Sequence, residues 1–182
     1  MSKWAVIYSS VTGNTKTVAE AMARASGGDL FNVNDNPPNL EQYEIVALGY
    51  WLKRGGPDPL MKNFLPTVHN ARVVLFETHG TENGNEHAVT AFARAAYLLG
   101  AGCDIIGTFD CQGKVNPALI ERRKQAGADD PHNSVDSVER WERASIHPDE
   151  DDLRRAAEFV EKVEQKLILR QKYTSAAPRF NR

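Results

Sequence analysis

Apolar residues along this chain follow two alternating rhythms. Short runs dense in apolar residues read as strands: Trp4–Tyr8, Asp29–Val33, Glu44–Tyr50, Arg72–Glu77 and Cys103–Phe109. Between them lie segments with helical spacing. Thr15–Ala25 carries Val18, Ala19, Met22 and Ala23 on one face, and Gly27-Gly28 ends it. Asp58 caps a short helix with Pro59 at its first position, running through Leu60, Met61, Phe64 and Leu65. Glu86–Leu99 turns Val89, Phe92, Ala93, Ala96 and Leu99 inward, before Gly100 and Gly102. Asp149–Leu169 closes the pattern with a stripe of Leu153, Ala156, Val160, Val163 and Leu167, behind Pro148. The breaker-rich segments Asn34–Asn39 and Arg54–Pro59 read as loops.

Strand and helix in strict alternation predict an α/β domain. A five-stranded parallel sheet, covered by helices on both faces, makes three doubly wound layers. Lys114–His147 is expected as an insertion after the fifth strand. In it Pro117–Gln125 reads as helix, Asp129–Ser137 as loop, and Val138–Ala144 as a short amphipathic turn around Trp141. The domain is expected to span 1–172, with Tyr173–Arg182 a frayed tail.

The chemistry concentrates in the first turn of the pattern. Tyr8-Ser9-Ser10-Val11-Thr12-Gly13-Asn14-Thr15 joins the first strand to the first helix. A helix N-terminus presents unpaired backbone N–H groups and the positive end of a dipole. Ser10, Thr12 and Thr15 add hydroxyls and Asn14 an amide, while Gly13 permits a close approach or a positive φ. The bland alternative is an ordinary N-capping turn. Neither G-x-x-x-x-G-K-[ST] nor G-x-G-x-x-G occurs, which excludes a P-loop nucleotidase and the dinucleotide fingerprint.

Ser10-Val11-Thr12-Gly13-Asn14-Thr15 resembles the flavodoxin phosphate loop, [ST]-x-T-G-x-T. Further along, Gly49-Tyr50-Trp51, Cys111-Gln112-Gly113-Lys114 and His147-Pro148-Asp149 resemble segments of a group of small bacterial flavodoxin-like proteins. Some members of that group accompany reductases of tetrapyrrole-type substrates. The resemblance implies strand order 2-1-3-4-5, with the ligand outside the carboxyl ends of strands 1 and 3. It implies FMN, its phosphate held by the loop Ser9–Thr15. The ring would meet Tyr50, Trp51 and Leu52 after the third strand, and Thr78, His79, Gly80 and Gly84 after the fourth. Trp51 is the expected stacking aromatic, with packing against the next helix as the alternative. The loop after the fourth strand offers no aromatic. His79 could lie near the ring, but in that polar loop it reads first as a surface histidine.

Composition narrows the partners. Lys and Arg total 22 against 24 Asp and Glu, a net charge of −2, with no basic stripe for nucleic acid. The longest apolar stretch, Ile45 to Leu52, is far short of the roughly 20 residues a membrane span needs. The two cysteines, Cys103 and Cys111, make no disulfide framework, and the first strand begins at once, so a cytoplasmic protein is expected. His69, His87, His132 and His147 lack metal-ligand spacing. The expected function is electron transfer through FMN to a redox partner protein. An FMN-dependent NAD(P)H or quinone reductase, or a flavin-free binding module, are the alternatives.

Overall fold

A computed structural model of the chain describes residues 1–84, 86–126 and 134–176. Parts of the expected 129–137 loop and of the 173–182 tail lie outside the described residues, as do His132 and the side chain of His87. The main sheet is parallel and follows the expected path. β1 (Trp4–Tyr8) pairs with β2 (Asp29–Asn32) and β3 (Ile45–Lys53); β3 pairs with β5 (Arg72–His79), and β5 with β6 (Asp104–Gln112). The fold is therefore flavodoxin-like, with the five parallel strands in the order 2-1-3-4-5 by position in the chain.

One strand was not foreseen. β3 runs on to Lys53 and folds back as β4 (Gly56–Pro57), which pairs antiparallel with it through Leu52 and Lys53. The turn between them holds Arg54 at φ 54° and Gly55 at φ 73°. Positive φ at both central positions is what a two-residue hairpin demands, and the usual first residue is Asn, Asp or Gly rather than Arg. The expected Arg54–Pro59 loop is thus half hairpin.

Each face of the sheet buries one apolar cluster. On one side α1 (Asn14–Ser26) and α6 (Glu150–Ala176) pack through Val18, Met22, Ala156 and Val160 against Val6, Ala47, Val74 and Phe76. Trp4 is fully buried there and donates Nε1–H to Glu164 at 2.6 Å. On the other side α2 (Pro59–Phe64) and α3 (Glu86–Leu98) cover Ile7, Leu48, Tyr50 and Leu75. α3 is rolled relative to expectation. Its buried residues are Ala88, Ala91 and Ala95, while Val89 is 65% exposed and Ala93 lies at the surface. Small alanine side chains let the helix axis come close to the sheet, and Phe92 and Ala96 pack at the flank.

α4 (Pro117–Gln125) starts at Asn116, whose side chain accepts from Ala118 N–H. α5 (Val135–Ala144) is a full helix, longer than the turn expected around Trp141, because Ser134 caps it by accepting from Ser137 N–H. α6 begins with a reciprocal pair: Asp149 Oδ1 accepts from Asp152 N–H, and Asp152 Oδ2 from Asp149 N–H. It also runs past Leu169, taking residues 173–176 into helix.

Candidate functional site

Three loops meet where the sequence places the anion site, above the carboxyl ends of β1, β3 and β5. Gly13 is the N-cap of α1 at φ 94° and, lacking a side chain, accepts no hydrogen bond from the first-turn amides through one. The first helical bond runs from Thr17 N–H to Gly13 C=O at 2.9 Å. The amides of Asn14, Thr15 and Lys16 are therefore left without a side-chain cap. An ordinary capping turn would have spent a Ser, Thr or Asn oxygen on them.

The polar residues of the loop divide into two kinds. Ser9, Thr15 and Asn14 hold the loop in place. Ser9 Oγ donates to buried Asp58 at 2.8 Å, and Ser9 N–H donates to Gly49 C=O. The Thr15 and Thr78 hydroxyls bond each other at 2.8 Å, tying α1 to β5. Asn14 Nδ2 donates to the Lys114 carbonyl at 2.8 Å and presses on Gly113, where any Cβ would stand 2.6 Å from that nitrogen. Ser10, Val11 and Thr12 stay open. Val11 and Thr12 are exposed, and half-buried Ser10 accepts from Gly13 N–H.

A cleft of about 150 Å³ lies between the loops. Val11, Thr12 and Asn14 form one wall, Trp51 and Leu52 another, and Thr78, His79 and Gly80 the floor beside Lys114–Asn116 and Leu119. Gly80 admits this third wall, since a Cβ there would lie 2.5 Å from Val115 Cγ2. The buried indole Nε1 of Trp51 has no hydrogen-bond partner, and Lys53 Nζ stands 5.8 Å from the ring centre. The structure does not bring the Tyr50 side chain here. Tyr50 and Trp51 alternate across the strand, so Tyr50 points into the α2/α3 layer, edge-on to Phe92 at 6.5 Å.

His79 is not at the surface: it is 7% exposed. Its Nδ1 lies 3.0 Å from both the carbonyl and the hydroxyl of Thr81, and the tautomer decides whether it donates to the first or accepts from the second. Nε2 stands 3.5 Å from Asp110 Oδ2, within ion-pair range. Burial opposes ionisation of Asp110, but His79 and the Gly84 amide, 2.5 Å away, outweigh it and hold the carboxyl below its usual range. Gly84 thus orders the loop from outside the cleft.

Sequence reasoning missed Asp58 as the anchor of Ser9, Asp110 as the anchor of the 79–84 loop, and the wall built by Val115, Asn116 and Leu119. Only the last had a local signal, in the capping pair Asn116-Pro117.

Cys111 is buried and its Sγ donates to the Gln112 carbonyl. Burial above all, with Asp152 next, pushes its thiol upward. Iodoacetamide at neutral pH should modify half-buried Cys103 first and reach Cys111 only through unfolding. Peptide mapping of a time course checks this, and rapid alkylation at Cys111 would reveal an accessible thiolate. His147, Asp149 and Asp152 also come together, but their contacts are those of the α6 cap.

The family model described as Flavodoxin domain matches residues 5–161. The flavodoxin-like domain-containing protein BilS of Clostridioides difficile (strain CD3) is 30% identical over 162 residues, spanning 85% of this chain and 92% of that protein. Among solved structures, oxidised flavodoxin 2 from Bacillus cereus superposes with a TM-score of 0.54 at 18% identity, over 90% of this chain and 99% of that one. A flavoprotein from Lactobacillus acidophilus NCFM, crystallised in complex with FMN, gives 0.51 at 17% identity, over 67% of this chain and 98% of that one.

Proposed function

This chain belongs to the flavodoxin domain family, and from that premise we propose that it binds one FMN non-covalently and carries electrons to a redox partner protein. The observation that carries the reading is the uncapped N-terminus of α1, with Ser10 and Thr12 open beside it. Neutral dipoles and hydroxyls suit a phosphate dianion, because the loop has no cation before Lys16, which pairs with Glu20 at 3.8 Å. The orphaned Trp51 indole fits a polar heteroaromatic neighbour. The cleft's 150 Å³ is below the roughly 300–1,000 Å³ of most ligand pockets, so it takes only part of a nucleotide, and the remainder would lie at the rim.

FMN supplies reversible one- and two-electron chemistry when bound. The protein's share is binding and orientation. The first-turn amides, Ser10 and Thr12 hold the phosphate. Ser9, Asn14 and Thr15 keep the loop against β3, the third loop and β5. Trp51, Leu52 and the backbone of Thr78–Gly80 border the ring. Among the described residues no helix is long and apolar enough to cross a membrane.

Titration of apoprotein with FMN tests the reading. Removing one hydrogen-bond donor to a charged group costs about 1.5–3 kcal/mol, so Thr12→Ala should weaken FMN binding roughly ten- to a hundredfold. Riboflavin should bind more weakly than FMN and barely respond to the substitution. Absence of a flavin spectrum after FMN addition would overturn the proposal. Equal loss for both ligands would move Thr12 from phosphate binding to folding. Steady NAD(P)H oxidation by the loaded chain alone would point to a reductase instead of a carrier.

A further inference from the structure

A cleft of about 890 Å³ lies on the α2/α3 side of the sheet and shares no lining residue with the cleft beside the phosphate loop. Lys53 and Arg54 from the β3–β4 hairpin, Lys62 from α2 and Arg94 from α3 line it, with no Asp or Glu among the lining residues. Among the described residues none of these four cations is in an ion pair. Arg94 is held in place by carbonyls alone: Nη1 donates to Arg54 O at 3.1 Å and to Gly55 O at 2.7 Å. The guanidinium is thereby oriented without losing its charge. Its stem packs along the hairpin, with Cδ 3.5 Å from where a Gly56 Cβ would stand.

Four unneutralised cations in one cleft are unexpected in a chain of net charge −2. Mutual repulsion disfavours that grouping, and an anion placed among them would relieve it. The cleft also has an apolar side. Pro57 and Leu98 line it, and Tyr97 stands 90% exposed at its edge. The Arg54 backbone sits in the left-handed region that a branched or long side chain enters at a cost, and such outliers concentrate at binding sites.

We infer that this cleft is a binding site, separate from the FMN site, for a small organic polyanion with an apolar aromatic body. The acidic groups would meet Lys53, Lys62 and Arg94, and the body would lie along Tyr97, Pro57 and Leu98. The volume falls within the range of small-molecule pockets. A concave, partly aliphatic cleft suits such a molecule better than the flatter acidic face of a protein. The assignment does not depend on what the phosphate loop binds.

The test uses 8-hydroxypyrene-1,3,6-trisulfonate, a planar fluorescent trianion, with the whole chain at low salt and saturating FMN. Saturable one-to-one binding is expected, weakening as salt rises. Losing two cations near the anion in Lys53→Gln with Lys62→Gln should weaken binding at least about tenfold. Tyr97→Ser removes an exposed ring and should cost roughly threefold through lost aromatic contact, with the unfolding midpoint unchanged. Thr12→Ala should leave dye binding as it was. No saturable binding, or binding indifferent to the two lysines, overturns the inference. Dye binding that Thr12→Ala weakens would place it in the phosphate-loop site and also sink the idea. Poly-glutamate binding with the same lysine dependence, but without trianion binding, would assign the cleft to an acidic polypeptide and overturn the small-molecule reading.

Discussion

Glu77→Gln is expected to make the folded chain more stable above pH 8 and to leave it little changed near pH 4.5. Glu77 is fully buried on β5, and neither carboxyl oxygen has a hydrogen-bond partner. Its register neighbours are Tyr50 on β3 and Asp110 on β6. Burial pushes its pKa from 4.5 up to about 8; Tyr50 pulls the other way, and the Asp110 charge adds to the rise. The folded state therefore keeps a proton that the unfolded chain has already released at neutral pH. Stability from this group is fully present below pH 4.5 and is lost as pH rises toward 8, at roughly 1.4 kcal/mol per pH unit. The total is on the order of 5 kcal/mol. Glutamine keeps the shape and cannot ionise, though its buried amide forfeits about 1–3 kcal/mol if it too stays unpartnered. Urea unfolding at pH 5, 6.5 and 8.5 should show the stability difference between variant and parent shifting steadily in the variant's favour. Parallel pH profiles would mean that Glu77 is ionised in the folded chain.

Gly49→Ala is expected to destabilise the fold by about 3 kcal/mol, the upper range for overpacking a dense core. Gly49 is buried on β3 opposite Phe76, and a Cβ there would lie 2.0 Å from Phe76 Cζ and 2.2 Å from Cε2. Phe76 is itself fully buried within the α1/α6 cluster, so the ring cannot swing aside cheaply. For a chain of this size that is a fall of roughly 6–12 °C in midpoint. The carbonyl of Gly49 also accepts from Ser9 N–H, so a shifted β3 would disturb the phosphate loop and FMN binding together. Phe76→Leu should rescue part of the loss, giving a double variant more stable than additivity allows. A Gly49→Ala chain within 0.5 kcal/mol of the parent would falsify the clash.

These two residues mark where sequence reading stops. Glu77 closes a run of apolar residues at the end of a strand and reads as its polar boundary. Nothing local says that the packed layers bury it completely. Gly49 reads as a strand terminus, whereas β3 continues through it to Lys53 by pairing with β5 through Trp51 and with β4 through Leu52 and Lys53, while Phe76 on the next strand fills the space its side chain lacks. In the same way Tyr50 and Trp51 are adjacent aromatics of similar apolarity. Alternation guarantees that they face opposite ways, but which one is core depends on the placement of α2 and α3.

What the chain specifies locally is the alternation of elements, which the structure keeps even where a helix rolls or an element lengthens. The apolar runs, the helical stripes and the breakers between them fix alternating strands and helices, because each signal spans only a few bonded neighbours. The strand-loop-helix at Ser10–Thr15 belongs to that class: a helix start and its glycine are set by the residues within one turn. Contacts between distant segments are of another kind. Ser9 on Asp58, Thr15 on Thr78, Asn14 on Lys114, the roll of α3 onto its alanines and the gathering of Lys53, Arg54, Lys62 and Arg94 each join residues far apart in the chain. Their partners are chosen by how the layers pack around one sheet, a long-range balance of burial and shape that no local window of residues contains.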